Sequence, residues 1–138
     1  MENKISTSEL RLGNWVYDGK NTKFPMQVET IMKDSIYLDF EGNEGDVIEC
    51  SYKNIEPIPI TSELLKQMGF VKHSLCGYRE HFVYKYKESN RIELTALFDC
   101  DFSLNICGIA KIISNLHHLQ NIMFDLFGEE LEIKREYL

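Results

Sequence analysis

The chain has 138 residues and a mass of 16.2 kDa, with 43% hydrophobic and 27% charged residues and a formal net charge of -7. That balance excludes a disordered tail, a collagen-like chain and a disulfide-stapled miniprotein. Roughly two-thirds of the unfolded surface can be buried at this length, enough for one substantial core or two small modules.

The opening Met1-Glu2-Asn3-Lys4-Ile5-Ser6-Thr7 has no apolar signal segment, and no window approaches the ~18 apolar residues of a membrane span. A cytoplasmic chain with no membrane partner is expected. Cys50, Cys76, Cys100 and Cys107 are spaced by 26, 24 and 7 residues, which matches neither a CxxC pair nor a dense secreted framework. They are read as reduced thiols.

In the first sixty residues the apolar pattern has the two-residue period of strands. Leu10 to Tyr17 run into a polar turn at Asp18 to Asn21. Met26, Val28, Thr30 and Met32 then alternate with Gln27, Glu29, Ile31 and Lys33, which predicts a strand with one buried face. Ile36, Leu38 and Phe40 follow after a short turn as its hairpin partner, and Ile48, Cys50 and Tyr52 resume the alternation. The order resembles an SH3-like barrel or rolled sheet over about residues 8 to 56, a fold that names no ligand. The acidic run Asp39 to Asp46 carries oxygen donors, but it departs from a calcium loop at Glu44 and Cys50, where glycine and a bidentate glutamate are needed. A solvated hairpin turn accounts for it.

Pro57 and Pro59 make a stiff connector, because each lacks an N–H and pushes its predecessor toward extended geometry. Beyond it, Thr61 as N-cap, Glu63 in the first turn and Leu64, Leu65 and Met68 before Gly69 predict a short helix over about 61–69. Strands are predicted at about 81–87, 91–98 and 102–107. Phe82, Tyr84, Tyr86, Ile92, Leu94, Ala96, Phe98, Phe102, Leu104 and Ile106 share one face of that meander. A helix over about 115–127, capped by Ser114 or Asn115 and stopped by Gly128, sets Leu116, Leu119, Ile122, Met123, Leu126 and Phe127 on one arc. The whole reads as an α+β protein with a module at 1–56 and another at 57–138, in which the C-terminal amphipathic helix covers the antiparallel meander.

Gln120 interrupts the apolar arc. A buried amide without partners costs about 1 to 3 kcal/mol, so it is expected to be a satisfied glutamine that pins the helix to sheet backbone, with a pocket-lining role as the alternative. His117 and Asn121 form an i,i+4 polar pair. Neighbouring His117 and His118 should diverge by about 100° on a helix, too far apart to share one ion. His73, Cys76 and His81, with Cys100 or Cys107 as a distant fourth, do not have the spacing of a zinc signature. No metal or other cofactor is therefore expected. No nucleophile elbow or phosphate-cradling glycine loop occurs, so no catalytic residue is assigned.

Lys72, Arg79, Lys85, Lys87 and Arg91 outnumber Glu80 and Glu88 by three charges, among Tyr78, Phe82, Tyr84 and Tyr86. Stacking platforms for nucleic acid combine such residues, but here alternation sends aromatics and lysines to opposite faces and the overall charge repels phosphate. Nucleic acid ranks third, behind a protein partner or homo-oligomer and behind a small ligand.

One further pattern spans the chain. His118-Leu-Gln-Asn-Ile-Met-Phe-Asp-Leu-Phe-Gly-Glu-Glu-Leu131 resembles the ending of a family of small bacterial proteins of prophage or mobile-element type, as do Leu10 to Val16 and Ile55 to Thr61 in the same order. The resemblance implies family membership and brings no known activity. A noncatalytic binding or accessory protein is the function expected, through Gln120, His117, Asn121, Lys85 and Lys87. The alternative is a small enzyme or ligand-binding protein with a pocket at the barrel–meander junction.

Overall fold

The computed structural model describes residues 5, 7–19, 24–39, 47–76, 79–86, 90–97, 101–106, 108–128, 130–131, 133–134, 136 and 138, with backbone alone at 73–76, 79, 85–86 and 90. These residues form two five-stranded antiparallel sheets and two α-helices, an α+β protein. The chain divides into two compact units: residues up to Ile58 with Asn115–Leu131 and Leu138, and residues 59–114 with 132–137.

In the first unit a 3-10 turn at Thr7–Glu9 leads to β1 (Trp15–Asp18), β2 (Phe24–Ile31), β3 (Ser35–Asp39), β4 (Val47–Ser51) and β5 (Ile55–Pro57). The sheet order is β4-β3-β2-β1-β5, and no sheet closes on itself among the described residues. Val16, Met26, Val28, Ile36, Leu38, Cys50 and Ile55 form one core with Ile5 and Leu10. The proline connector proves to include a short strand, with Val16 opposite Pro57. Proline is tolerated there because β5 is an edge that needs donors on one side only.

The alternation in β2 breaks at a β-bulge. Val28 pairs with Leu38, yet Thr30 pairs with Tyr37 and Ile31 with Ile36, so Glu29 is the extra residue. One inserted residue exchanges the faces of everything beyond it. Thr30 and Met32, expected inside, are exposed, and Ile31 packs on the core instead.

In the second unit, α1 (Ser62–Gln67) is capped by Thr61, whose hydroxyl accepts from Leu64 N–H at 3.1 Å. β6 (Val71–Cys76), β7 (Arg79–Tyr86), β8 (Asn90–Ala96), β9 (Phe102–Ile106) and β10 (Ile109–Ile113) then make a meander in spatial order. Phe82, Ile92, Leu94, Phe102, Leu104 and Ile106 are buried on one face, with Phe82 and Phe102 edge to face at 6.4 Å. The predicted strands at 81–87, 91–98 and 102–107 are three of five. β6 and β10 lie outside the predicted strands; in β10 four of five residues are exposed, on both faces, so no buried face imposes alternation.

The second helix, α2 (Leu116–Phe127), groups with the first unit, whereas the sequence pattern predicts it within a 57–138 module as cover for the meander. Its polar side chains reach back to residues 9–15, as the hydrogen bonds below show. Asn115 is its N-cap without a side-chain bond; the Leu116 N–H donates to the Ile58 carbonyl at 2.8 Å. Gly128, at φ 69°, stops the helix in the left-handed conformation that glycine adopts without penalty. The apolar arc is buried at Leu116, Leu119 and Met123, but Leu126, expected inside, is 54% exposed.

Candidate metal centre

The polar groups that α2 carries are arranged against the chain between Glu9 and Trp15. Gly13, two residues before β1, has φ 90°, a conformation glycine adopts without penalty, and its carbonyl and the Trp15 N–H both bond to α2. Gln120 uses both ends of its amide there: Oε1 accepts from Trp15 N–H at 2.9 Å and Nε2 donates to the Gly13 carbonyl at 3.3 Å. Its side chain is fully buried. One turn position further, Asn121 Oδ1 accepts from Asn14 Nδ2 at 2.8 Å and Asn121 Nδ2 donates to the Glu9 carbonyl at 2.8 Å. Asn14 Oδ1 in turn accepts from Arg11 N–H at 2.8 Å. Satisfied buried amides of this kind fix position, since any displacement strands several groups at once.

Arg11 adds an outer clamp. Its guanidinium bonds Glu130 and lies 4.1 Å over the Phe124 ring, which explains how Phe124 can sit exposed on the helix.

At the N-terminal end of α2 the seam contains ionisable groups. His118 Nε2 lies 2.9 Å from Glu9 Oε2, and His117 Nε2 lies 3.9 Å from the same oxygen. The two rings, expected to diverge, have centroids 4.3 Å apart at 54°. Cα–Cβ bonds tilt toward a helix N-terminus, so side chains of the first turn lean past its end, and rotamer choice brings the rings together over Glu9. Among the described residues these three are a group whose ligand atoms all lie within 4.8 Å of one another.

His117 is the anomaly in the cluster. It is 0% exposed, and neither ring nitrogen has a hydrogen-bond partner. Buried side-chain polar atoms nearly always have one, and leaving them unpaired costs about 1 to 3 kcal/mol. Burial, reinforced by the neighbouring His118, lowers the His117 pKa to about 4 against the opposing pull of Glu9. Its imidazole is therefore neutral at pH 7, with lone-pair capacity intact.

The residues singled out from the sequence do not all gather here. Gln120, His117 and Asn121 lie on this seam. Lys85 belongs to β7 with its side chain outside the described residues, and Lys87 is outside them altogether, as are most of the acidic run Asp39 to Asp46 and Cys100 and Cys107. Backbone register sets His73 opposite His81, and His81 Nδ1 is 2.9 Å from Thr95 Oγ1 with Glu93 3.7 Å from its other nitrogen. Glu9 was missed from sequence, and nothing short of the fold links it to residues 117 and 118.

Neither protein-family models nor curated proteins nor solved structures match this chain. No helix among the described residues is long and apolar enough to cross a membrane.

Proposed function

We propose that this chain is a noncatalytic binding protein, an accessory protein of a phage or mobile element, that takes up an extended segment of a partner protein along β10. The observation that carries this reading is the character of that outer strand. Ile109 is 70% and Ile112 is 64% exposed, on opposite faces, and Ala110 between them is exposed too. β9 is its paired strand on one side, with Ile109 opposite Ile106 and Ile112 opposite Ser103. Edge strands are ordinarily blunted with charge or proline; β10 carries one charge, Lys111, among exposed apolar residues, and a largely apolar edge is a template for strand addition. Lys111 at its centre disfavours a second copy as occupant: antiparallel pairing centred there sets Lys111 against Lys111, and like charges directly opposite destabilise a sheet. An apolar strand of another protein with an acidic residue facing Lys111 fits better.

The strand order of the first sheet, with short β5 returning to pair with β1, supports an SH3-like roll for that unit. Such rolls present partner-binding surfaces in many settings but identify none. A second reading, a small-ligand role near Gln120 and His117, is favoured by the unpaired nitrogens of His117.

The test is affinity capture from the native host with wild type and with the double variant I109K/I112K, followed by reconstitution with the purified partner. Both positions are exposed, so the variant should unfold at the wild-type midpoint. Binding at least tenfold weaker is expected; equal binding by the folded variant overturns the strand-addition reading.

A further inference from the structure

We infer that Glu9, His117 and His118 form a binding site for a divalent transition-metal ion of the zinc type, which ties the turn preceding β1 to the start of α2. This is independent of any partner at β10. The site is assembled from two imidazoles and one carboxylate, the donor set that suits zinc and its first-row neighbours rather than calcium or magnesium. Zinc bonds of about 2.0 to 2.2 Å place tetrahedral ligand atoms roughly 3.4 Å apart. The observed separations of 2.9 Å and 3.9 Å from Glu9 Oε2 bracket that spacing. Side-chain shifts on the order of 1 Å close the three groups around one ion.

Proximity alone would be met by a histidine–glutamate ion pair. The second, independent observation is His117, whose side chain is fully buried beside Glu9 without a hydrogen bond to either nitrogen. A structural histidine in that position would be expected to donate to a carbonyl or carboxylate; a metal ligand needs an uncommitted lone pair. Glu9 and His118 are part-buried, so the ion is reached from solvent on their side while His117 closes the far side. The backbone that carries Glu9 is held to α2, since Asn121 donates to the Glu9 carbonyl and Asn14 donates to Asn121. Three protein donors leave a fourth position for water, the arrangement of an open rather than a closed zinc site.

The test uses the full chain, stripped with chelator and titrated with Zn2+ and, as a spectroscopic substitute, Co2+. One ion per chain is expected, with a rise of the unfolding midpoint of several degrees at saturating metal and Co2+ d–d absorption without thiolate charge-transfer bands. Glu9→Gln and His118→Asn, both at part-exposed positions, should keep the metal-free circular dichroism and midpoint while binding at least tenfold more weakly. His117→Asn should abolish binding; if it does not fold, the other two variants decide. The inference is overturned if Zn2+ leaves the wild-type midpoint unchanged, if thiolate bands show the ion on cysteine, or if both folded variants bind as wild type does.

Discussion

The two units have the same number of antiparallel strands and differ in where their buried polar side chains lie. The buried polar side chains of the described chain, Asn14, His117 and Gln120, all belong to the first unit. The second has a buried face of Phe82, Ile92, Leu94, Phe102, Leu104 and Ile106, and it displays large apolar side chains on both outer strands, Val71 on β6 and Ile109 and Ile112 on β10. Packing among apolar side chains sets no unique position by itself, because the hydrophobic effect is non-directional. A helix held by reciprocal amide bonds has one position. The first unit, with its buried amides, is thus suited to fixing a constellation of donors.

That contrast can be broken most forcefully in the second core. Phe82→Ala should cost about 3 to 5 kcal/mol in denaturant unfolding, because the ring is fully buried against Phe102, whereas Zn2+ binding at Glu9 should be unaffected in the folded fraction. Gln120→Leu comes next, with an expected loss of about 1 to 3 kcal/mol, since the Trp15 N–H loses its acceptor and the Gly13 carbonyl keeps only Gln27 at 3.2 Å. Full tolerance of leucine would mean that packing rather than hydrogen bonding seats α2, and the contrast between the units would go with it.

The third effect vanishes at neutral pH. His117 titrates near 4 in the folded chain against 6.5 for the free side chain, so the unfolded state binds more protons between those values. Metal-free protein should therefore lose stability as pH falls from about 6.5 toward 4, with the groups facing His117 being Glu9 and His118. Unfolding midpoints across that range should fall more steeply for wild type than for a folded His117→Asn variant; parallel curves would show that His117 is not buried neutral.

Much of this was legible from residue order, and the illegible parts have physical reasons. Alternation in 91–98 and 102–107 located β8 and β9 because one face is buried and the other wet. Gln120 was conspicuous as an amide within an apolar arc, and the structure gives it two backbone partners. The inversion after Glu29 was invisible, since a bulge inserts a residue without changing composition. β10 was invisible because an exposed outer strand has no reason to alternate. The convergence of His117 and His118 depends on rotamers at a helix end, which a projection at 100° per residue does not represent. Glu9 could not have been found at all, since its carboxylate meets residue 118 across a separation of 109 positions.

Those separations bear on the order in which the protein acquires its form. Asn14 and Trp15 leave the ribosome long before their partners, which follow 107 and 105 residues later. At about 5 to 20 residues per second the wait is roughly 5 to 20 seconds. Throughout it the first sheet is without α2, while all five strands of the second sheet are synthesised in between. Contacts this distant in sequence slow folding, because loop closure is entropically costly before it is rewarded. A nascent chain stalled before residue 115 would present Asn14 and the Trp15 amide without the side chains of α2 that bond them.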